Sequence, residues 1–149
     1  MARGLGSALV ALALAASGCG GDGASAGATV SVFVAAPLCK EAQRELSAAG
    51  GEAGDLKVHA VCLPVIETKG GVDLAASGRN ARRATEDSTA IAYLEAPGPG
   101  SRFSRSIVES ADIAWIETSS GSTAVRRVLR AIDDAGSSSP RDAVLQQVG

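Results

Sequence analysis

The sequence has few aromatic residues, a single histidine and no excess of basic residues. One Trp, one Tyr and two Phe occur in 149 residues, so a core must be built mainly from Val, Leu, Ile and Ala. The net charge of −2 lacks the basic excess that marks a nucleic-acid-binding surface, so no nucleic-acid partner is expected. With 46% hydrophobic and 20% charged residues, the composition predicts one globular domain rather than a disordered chain.

The single histidine limits the enzymatic options. On a strand, His59 and Cys62 are three positions apart and point to opposite faces of a sheet, so no Cys/His metal site is expected. No GxSxG motif supplies a serine nucleophile, and neither a GxGxxG motif nor a P-loop lysine is present. We therefore predict no enzymatic activity, no metal and no cofactor.

The apolar stretch at residues 5–16 is too short to cross a membrane. Its length is about 12 residues, whereas a spanning helix needs roughly 20. It follows Arg3 and the amino terminus and precedes small residues, which is typical of an export signal. The ending "AASGC" at residues 15–19 resembles the lipobox of bacterial lipoproteins, in which the precursor is cut before the cysteine and the thiol is acylated.

This pattern divides the chain into three parts. Residues 1–18 are predicted to be a lipoprotein signal peptide, and residues 19–28 an acylated Cys19 with a Gly-rich tether whose reach is roughly 17 Å. Residues 29–149 form the domain. The protein is therefore expected to be exported and anchored to the outer face of the cell membrane by a lipid on Cys19. An ordinary signal peptide that leaves Cys19 unpaired is the alternative.

The other two cysteines form an even pair once Cys19 carries lipid. In an exported protein, Cys39 and Cys62 are predicted to form a disulfide. Closing a loop of about 24 residues would stabilise the fold by roughly 3 kcal/mol. Two unpaired buried thiols are the alternative.

From Thr29 onward, strand-like and helix-like segments alternate. This alternation predicts an α/β fold with a doubly wound, Rossmann-like parallel sheet of about four strands in the order 2-1-3-4 and helices on both faces. Strands are expected at residues 29–36, 55–65, 90–96 and 113–118. Helices are expected at residues 38–51, 73–87, 101–111 and 123–136, with a last one from Pro140. Ligand chemistry is then expected in the loops after Ala36 and Ala96.

Two loops combine glycine with hydroxyl side chains before a predicted helix. In "EAPGPGS", the helix amino terminus at Ser101 would offer backbone N–H groups to an anion such as a carboxylate. In "TSSGST", at residues 118–123, five hydroxyls surround one glycine and could hold a polar ligand. The structural alternative is that Ser and Thr simply cap the helices that follow.

The densest positive cluster is "GRNARRATED", with Arg79, Arg82 and Arg83. Glu86 and Asp87 follow at i+4 from Arg82 and Arg83, so we interpret the cluster as a solvated face supported by weak ion pairs. A surface for docking a partner is the alternative.

Several segments together resemble a known family. They are "TVSVFVAAPLC", "AAGGEAGDLKV", "NARRATEDSTAIAYLE" and "SRFSRSIVESADIAWI". In this order they are similar to the amino-terminal lobe of bacterial type I periplasmic solute-binding proteins of ABC transporters, of the branched-chain amino acid (leucine-binding) type. The segment "AVRRVLRAIDDAGSSSPRDAVLQQV" resembles the helical pair by which that family's chain returns to its first lobe. The second lobe of the family is missing.

The resemblance implies a function and a set of contacts. The turn after the third strand, which binds the ligand carboxylate in the family, falls on Gly98 or Pro99, with Ser101 as the nearest hydroxyl. The next ligand loop falls on Ser120, Gly121 and Ser122. The implied partners are a small amino-acid-like solute, the membrane subunits of an ABC transporter and the membrane itself through the lipid anchor. The alternative function is a membrane-tethered accessory domain for protein–protein interaction with no small-molecule ligand.

Overall fold

The computed structural model describes residues 25–66, 71–136 and 139–148. The predicted signal peptide, Cys19 and most of the tether lie outside the described residues. Strands and helices alternate along the domain, and their bounds are as follows: β1 Thr29–Val34, α1 Ala36–Ala48, β2 Glu52–Ala53, β3 Leu56–Cys62, α2 Leu74–Thr85, β4 Ala90–Glu95, α3 Ser101–Glu109, β5 Ala114–Glu117, α4 Gly121–Ala135 and α5 Pro140–Val148. The α/β class predicted from the sequence is confirmed.

The sheet differs from the prediction in strand count and in order. It has five strands in the order β2-β3-β1-β4-β5, and it is mixed rather than all parallel. The strand that the sequence did not predict is β2, which pairs antiparallel with β3 through Glu52↔Lys57 and Ala53↔Leu56. Gly54, at φ +53°, turns the chain between them, and its N–H donates to Asp133 Oδ1 at 2.6 Å. The prediction of four strands in the order 2-1-3-4 was therefore wrong. The sequence did not reveal β2 because a two-residue edge strand has no periodicity to detect.

The core has one part on each face of the sheet, because successive side chains of a strand point to opposite faces. On one face, Val32 and Val34 pack with residues of α1, α4 and α5. On the other, Phe33 and Tyr93 pack with residues of α2 and α3. With so few aromatic side chains available, these two rings are among the largest that are fully buried.

The helix boundaries follow local capping chemistry. The predicted Asp73 cap of α2 is confirmed, since its carboxylate accepts a hydrogen bond from Ala76 N at 2.9 Å. Ser120 likewise caps α4 by accepting from the backbone N–H of Thr123. Helix α3 departs from the structural alternative above: Gly100 is its cap residue, and Ser101 is already the first helical residue.

Cys39 and Cys62 lie at the distance of a disulfide. Their Cα atoms are 5.6 Å apart, within the range that a disulfide spans. Cys39 is in the first turn of α1 and Cys62 ends β3, which is the neighbour of β1 in the sheet. The pair therefore joins α1 to β3.

Candidate functional site

The carboxyl edge of the sheet has its switch point between β1 and β4. From β1 the chain crosses through α1 to β3 on one side, and through α2 it then returns to β4 on the other side. Open α/β sheets bind ligands in the crevice at such a point. Only Ala35 separates β1 from α1, and its N–H donates to the carbonyl oxygen of Leu94 at 2.9 Å. This hydrogen bond continues the pairing of β1 with β4, so the longer connection at this point is the loop after β4.

A buried carboxyl group ends β4. Glu95 is 8% exposed; its Oε1 accepts from Ser104 Oγ at 3.1 Å and its Oε2 from Trp115 Nε1 at 3.3 Å. Burial raises the pKa of Glu95, the hydrogen bonds from Trp115 and Ser104 oppose the shift, and the nearby Glu117 carboxylate adds to it. Burial and the Glu95 charge also raise the pKa of the Tyr93 phenol. Glu95 thus joins the end of β4 to α3 and to β5 by hydrogen bonds.

A shallow pocket of about 470 Å³ lies at this carboxyl edge of the sheet. It is lined by the loop after β4, by the first turn of α3 and by the end of β5, through Gly98, Pro99, Ser101, Arg102 and Glu117. Within the described residues neither Arg102 nor Glu117 forms an ion pair. The pocket therefore presents one positive and one negative side chain.

The structure brings two of the predicted ligand residues, Gly98 and Ser101, into this pocket. The Ser101 side chain is buried, and its hydroxyl donates to the Gly98 carbonyl oxygen at 2.7 Å. That hydrogen bond closes the turn into α3. Ser101 thus shapes the pocket wall, and its hydroxyl proton is already used within the chain.

The other three predicted residues, Ser120, Gly121 and Ser122, line the start of α4 rather than this pocket. A carboxylate of the chain itself is bound there. Glu41 Oε2 accepts from Gly121 N at 3.1 Å and from Ser120 Oγ at 3.4 Å, and Ser120 Oγ also lies 3.1 Å from Ser122 Oγ. The hydroxyl and backbone donors predicted to hold a polar ligand are therefore bonded to a carboxylate of α1.

A larger cavity lies at the opposite, amino edge of the sheet. It measures about 530 Å³ and includes Thr29, Ser88 and Arg141 in its lining. The Arg141 guanidinium donates to the carbonyl oxygens of Ser88 at 3.1 Å and Ala90 at 2.9 Å. These bonds tie α5 to the sheet, so the most prominent charge of this cavity already has a structural role.

Sequence reasoning missed the charged residues of the edge: Glu41, Glu95, Arg102 and Glu117. A signal for two of them is present, since Glu95 and Glu117 are the last residues of otherwise apolar strands. Glu41 gives no such signal, because its contact with Gly121 joins positions 80 residues apart.

The chain matches no family model, no curated protein and no solved structure. The resemblance to solute-binding proteins therefore remains a prediction from the sequence. Within residues 25–66, 71–136 and 139–148, no three His, Cys, Asp or Glu side chains are grouped as metal ligands. In the same ranges no helix has the length and hydropathy needed to span a membrane.

Proposed function

We propose that the protein is an exported, lipid-anchored binding domain, similar to one lobe of a type I solute-binding protein, which takes up a small amino-acid-like solute for an ABC transporter. The observation that carries the proposal is the pocket at the carboxyl edge, where Arg102 and Glu117 line the same 470 Å³ space. An α-amino acid carries a carboxylate and an ammonium group. A pocket with one guanidinium and one carboxylate can pair with both.

The surrounding elements support this assignment of charges. Arg102 lies in the first turn of α3, where the helix dipole also favours a negative group. Glu117 ends β5 and lines the same pocket. A ligand carboxylate would therefore bind near Arg102 and its ammonium group near Glu117.

The same edge favours binding over catalysis. Within β4, α3 and β5, which line the pocket, the hydroxyl bonded to a carboxylate is that of Ser104, which donates to Glu95. Ser104 has no exposed surface, so this hydroxyl could not reach a substrate. A serine nucleophile must be accessible as well as hydrogen-bonded to a base, and we therefore propose no enzymatic role.

A single lobe leaves its ligand partly exposed, whereas small-molecule sites commonly bury 70–90% of the ligand. We therefore expect weak binding, in the millimolar range. Titration calorimetry of the intact chain against a panel of amino acids is expected to give heat with some members. Arg102→Ala and Glu117→Ala should each weaken that binding about tenfold or more, since each removes a charged hydrogen-bond partner.

The matched control is Arg127→Ala, which changes an exposed arginine of α4 and should leave the titration unchanged. Absence of heat at millimolar concentration throughout the panel would refute solute binding. Equal heats for Arg102→Ala, Glu117→Ala and the parent chain would refute this pocket as the site.

A second candidate is an accessory domain that contacts a protein partner and binds no solute. It is favoured by one observation, that the hydroxyls of both predicted ligand loops are bonded within the chain. Crosslinking in the native membrane should then recover a partner, such as a transporter membrane subunit, while calorimetry with amino acids stays silent. Recovery of no partner would count against it.

A further inference from the structure

A second surface lies on the layer formed by α2 and α3. The α2–α3 groove, as we name it, is lined by Leu74, Ala75, Gly78, Arg79, Arg82 and Phe103 and has a volume of about 300 Å³. The Phe103 ring rests directly on Gly78, where an added Cβ would come within 2.9 Å of the ring. The ring is nevertheless 40% exposed and Leu74 is 47% exposed. The groove therefore presents apolar surface to solvent.

Exposed large apolar side chains are concentrated at this layer. In the described part of the chain they are Val65, Val72, Leu74 and Phe103. Leu74 and Phe103 line the groove, and Val72 lies just before α2. The layer formed by α1, α4 and α5 on the other face has none. Two exposed apolar side chains in one groove make that groove a candidate interaction surface.

The same layer carries a local positive charge. Helix α2 contains three arginines and no acidic residue, and α3 contains two arginines and one glutamate, so the two helices together carry +4, of which Asp73 and Glu86 at the caps of α2 offset two. The ion pairs expected for Arg82 with Glu86 and for Arg83 with Asp87 are not formed within the described residues. The arginines of α2 are therefore available to an external anion.

We propose that the α2–α3 groove docks on the outer leaflet of the membrane, with Leu74 and Phe103 at the level of the headgroups and Arg79 and Arg82 on anionic lipid phosphates. Apolar side chains flanked by arginines are the composition of surfaces that lie in a membrane interface. The groove lining contains no carboxylate, so its charge is complementary to an anionic lipid.

Docking rests on the lipid anchor of the proposed function. Gly27 N already donates to the carbonyl oxygen of Asp55 at 2.7 Å. The roughly five Gly-rich residues between Cys19 and Ser25, with a reach of roughly 12 Å, keep the domain beside the leaflet. This tether converts docking into an intramolecular step with a high effective concentration, so a contact too weak to recruit a free domain suffices to orient a tethered one.

The test is hydrogen–deuterium exchange on the intact chain isolated from bacterial membranes, after the mass of Cys19 has been checked. The chain is placed in vesicles of phosphatidylcholine alone or with phosphatidylglycerol. Phosphatidylglycerol is expected to slow exchange in residues 71–85 and 101–109 but not in α4, and high salt should reverse the effect. Arg79→Gln with Arg82→Gln should weaken docking by about five-fold per arginine. The control pair Arg127→Gln with Arg130→Gln on α4 should not.

Each other outcome overturns the proposal in a distinguishable way. Equal exchange in the two vesicle types, with an acylated Cys19, would refute lipid docking and leave the anchor intact. An unmodified Cys19 would refute the anchor and docking together. Protection in native membranes that is absent from phosphatidylglycerol vesicles would assign the groove to a protein partner instead.

Discussion

The close contact between α1 and α4 depends on Gly121 having no side chain. A Cβ at this position would overlap the carbonyl oxygen of Leu38 and would lie 3.1 Å from the backbone nitrogen of Ala42. Both neighbours are backbone atoms of α1, so neither can rotate away. Gly121→Ala therefore requires α1 and α4 to move apart. That movement would also break the hydrogen bond from Gly121 N to the Glu41 carboxylate.

The cost follows from that overlap. Overpacking a well-packed core costs typically about 1–3 kcal/mol, and we expect Gly121→Ala near the upper end because the clash is with two backbone groups of α1. At about 2–4 °C per kcal/mol for a chain of this size, the melting temperature should fall by roughly 10 °C. Chemical denaturation followed by Trp115 fluorescence gives the free energy of unfolding directly, since Trp115 is the only tryptophan.

The matched control is Gly98→Ala, at a glycine whose added Cβ would meet only the carbonyl oxygen of Ala96 at 3.9 Å. An ordinary contact of this kind should change the free energy of unfolding by no more than about 0.5 kcal/mol. If Gly121→Ala and Gly98→Ala unfold at the same denaturant concentration, the close approach of α1 and α4 at Gly121 is refuted.

Two further predictions concern the cysteine pair and the buried carboxyl group. Cys39→Ser with Cys62→Ser, whose positions are 23 residues apart, should lower the free energy of unfolding by about 3 kcal/mol; a parent chain that is equally stable with and without reductant would contradict this. Because burial raises the pKa of Glu95, the folded state holds that proton more tightly than the unfolded state. The associated stability is present at low pH and is lost as the pH rises from the ordinary carboxyl value through the raised one. Glu95→Gln should remove this loss, so the variant should gain stability relative to the parent chain between acidic and neutral pH, and a constant difference in denaturation across that range would refute the argument.

The sequence predicted the parallel strands and the helices well, for a physical reason. Strands buried on both faces are continuous apolar runs, and "TVSVFV" and "AIAYLE" become β1 and β4. The edge strand β2 could not be found in this way, because its two residues are held by a turn at Gly54 and by pairing with β3 rather than by a pattern of their own.

The candidate site was predicted less well, because its charges come from different elements. Gly98 and Ser101 lie in the pocket, as expected from the turn before a helix. Arg102 looks like any exposed helical arginine in the sequence, and only the fold places it in one pocket with Glu117. Such a pair acquires meaning from tertiary structure, which local spacing does not encode.

The loops that begin α3 and α4 have the same local chemistry but different tertiary partners. Both offer hydroxyls and backbone N–H groups at a helix start, and the sequence predicts an anion site at the first and a polar-ligand site at the second. At α4 the Glu41 carboxylate fills that position. Because Gly121 has no side chain, α1 packs close enough to α4 for Glu41 to reach the Gly121 N–H. At α3 the corresponding space is open and is lined by Arg102. Of these two loops, only the one that begins α3 has space for a ligand carboxylate, and this places the proposed solute site at the end of β4.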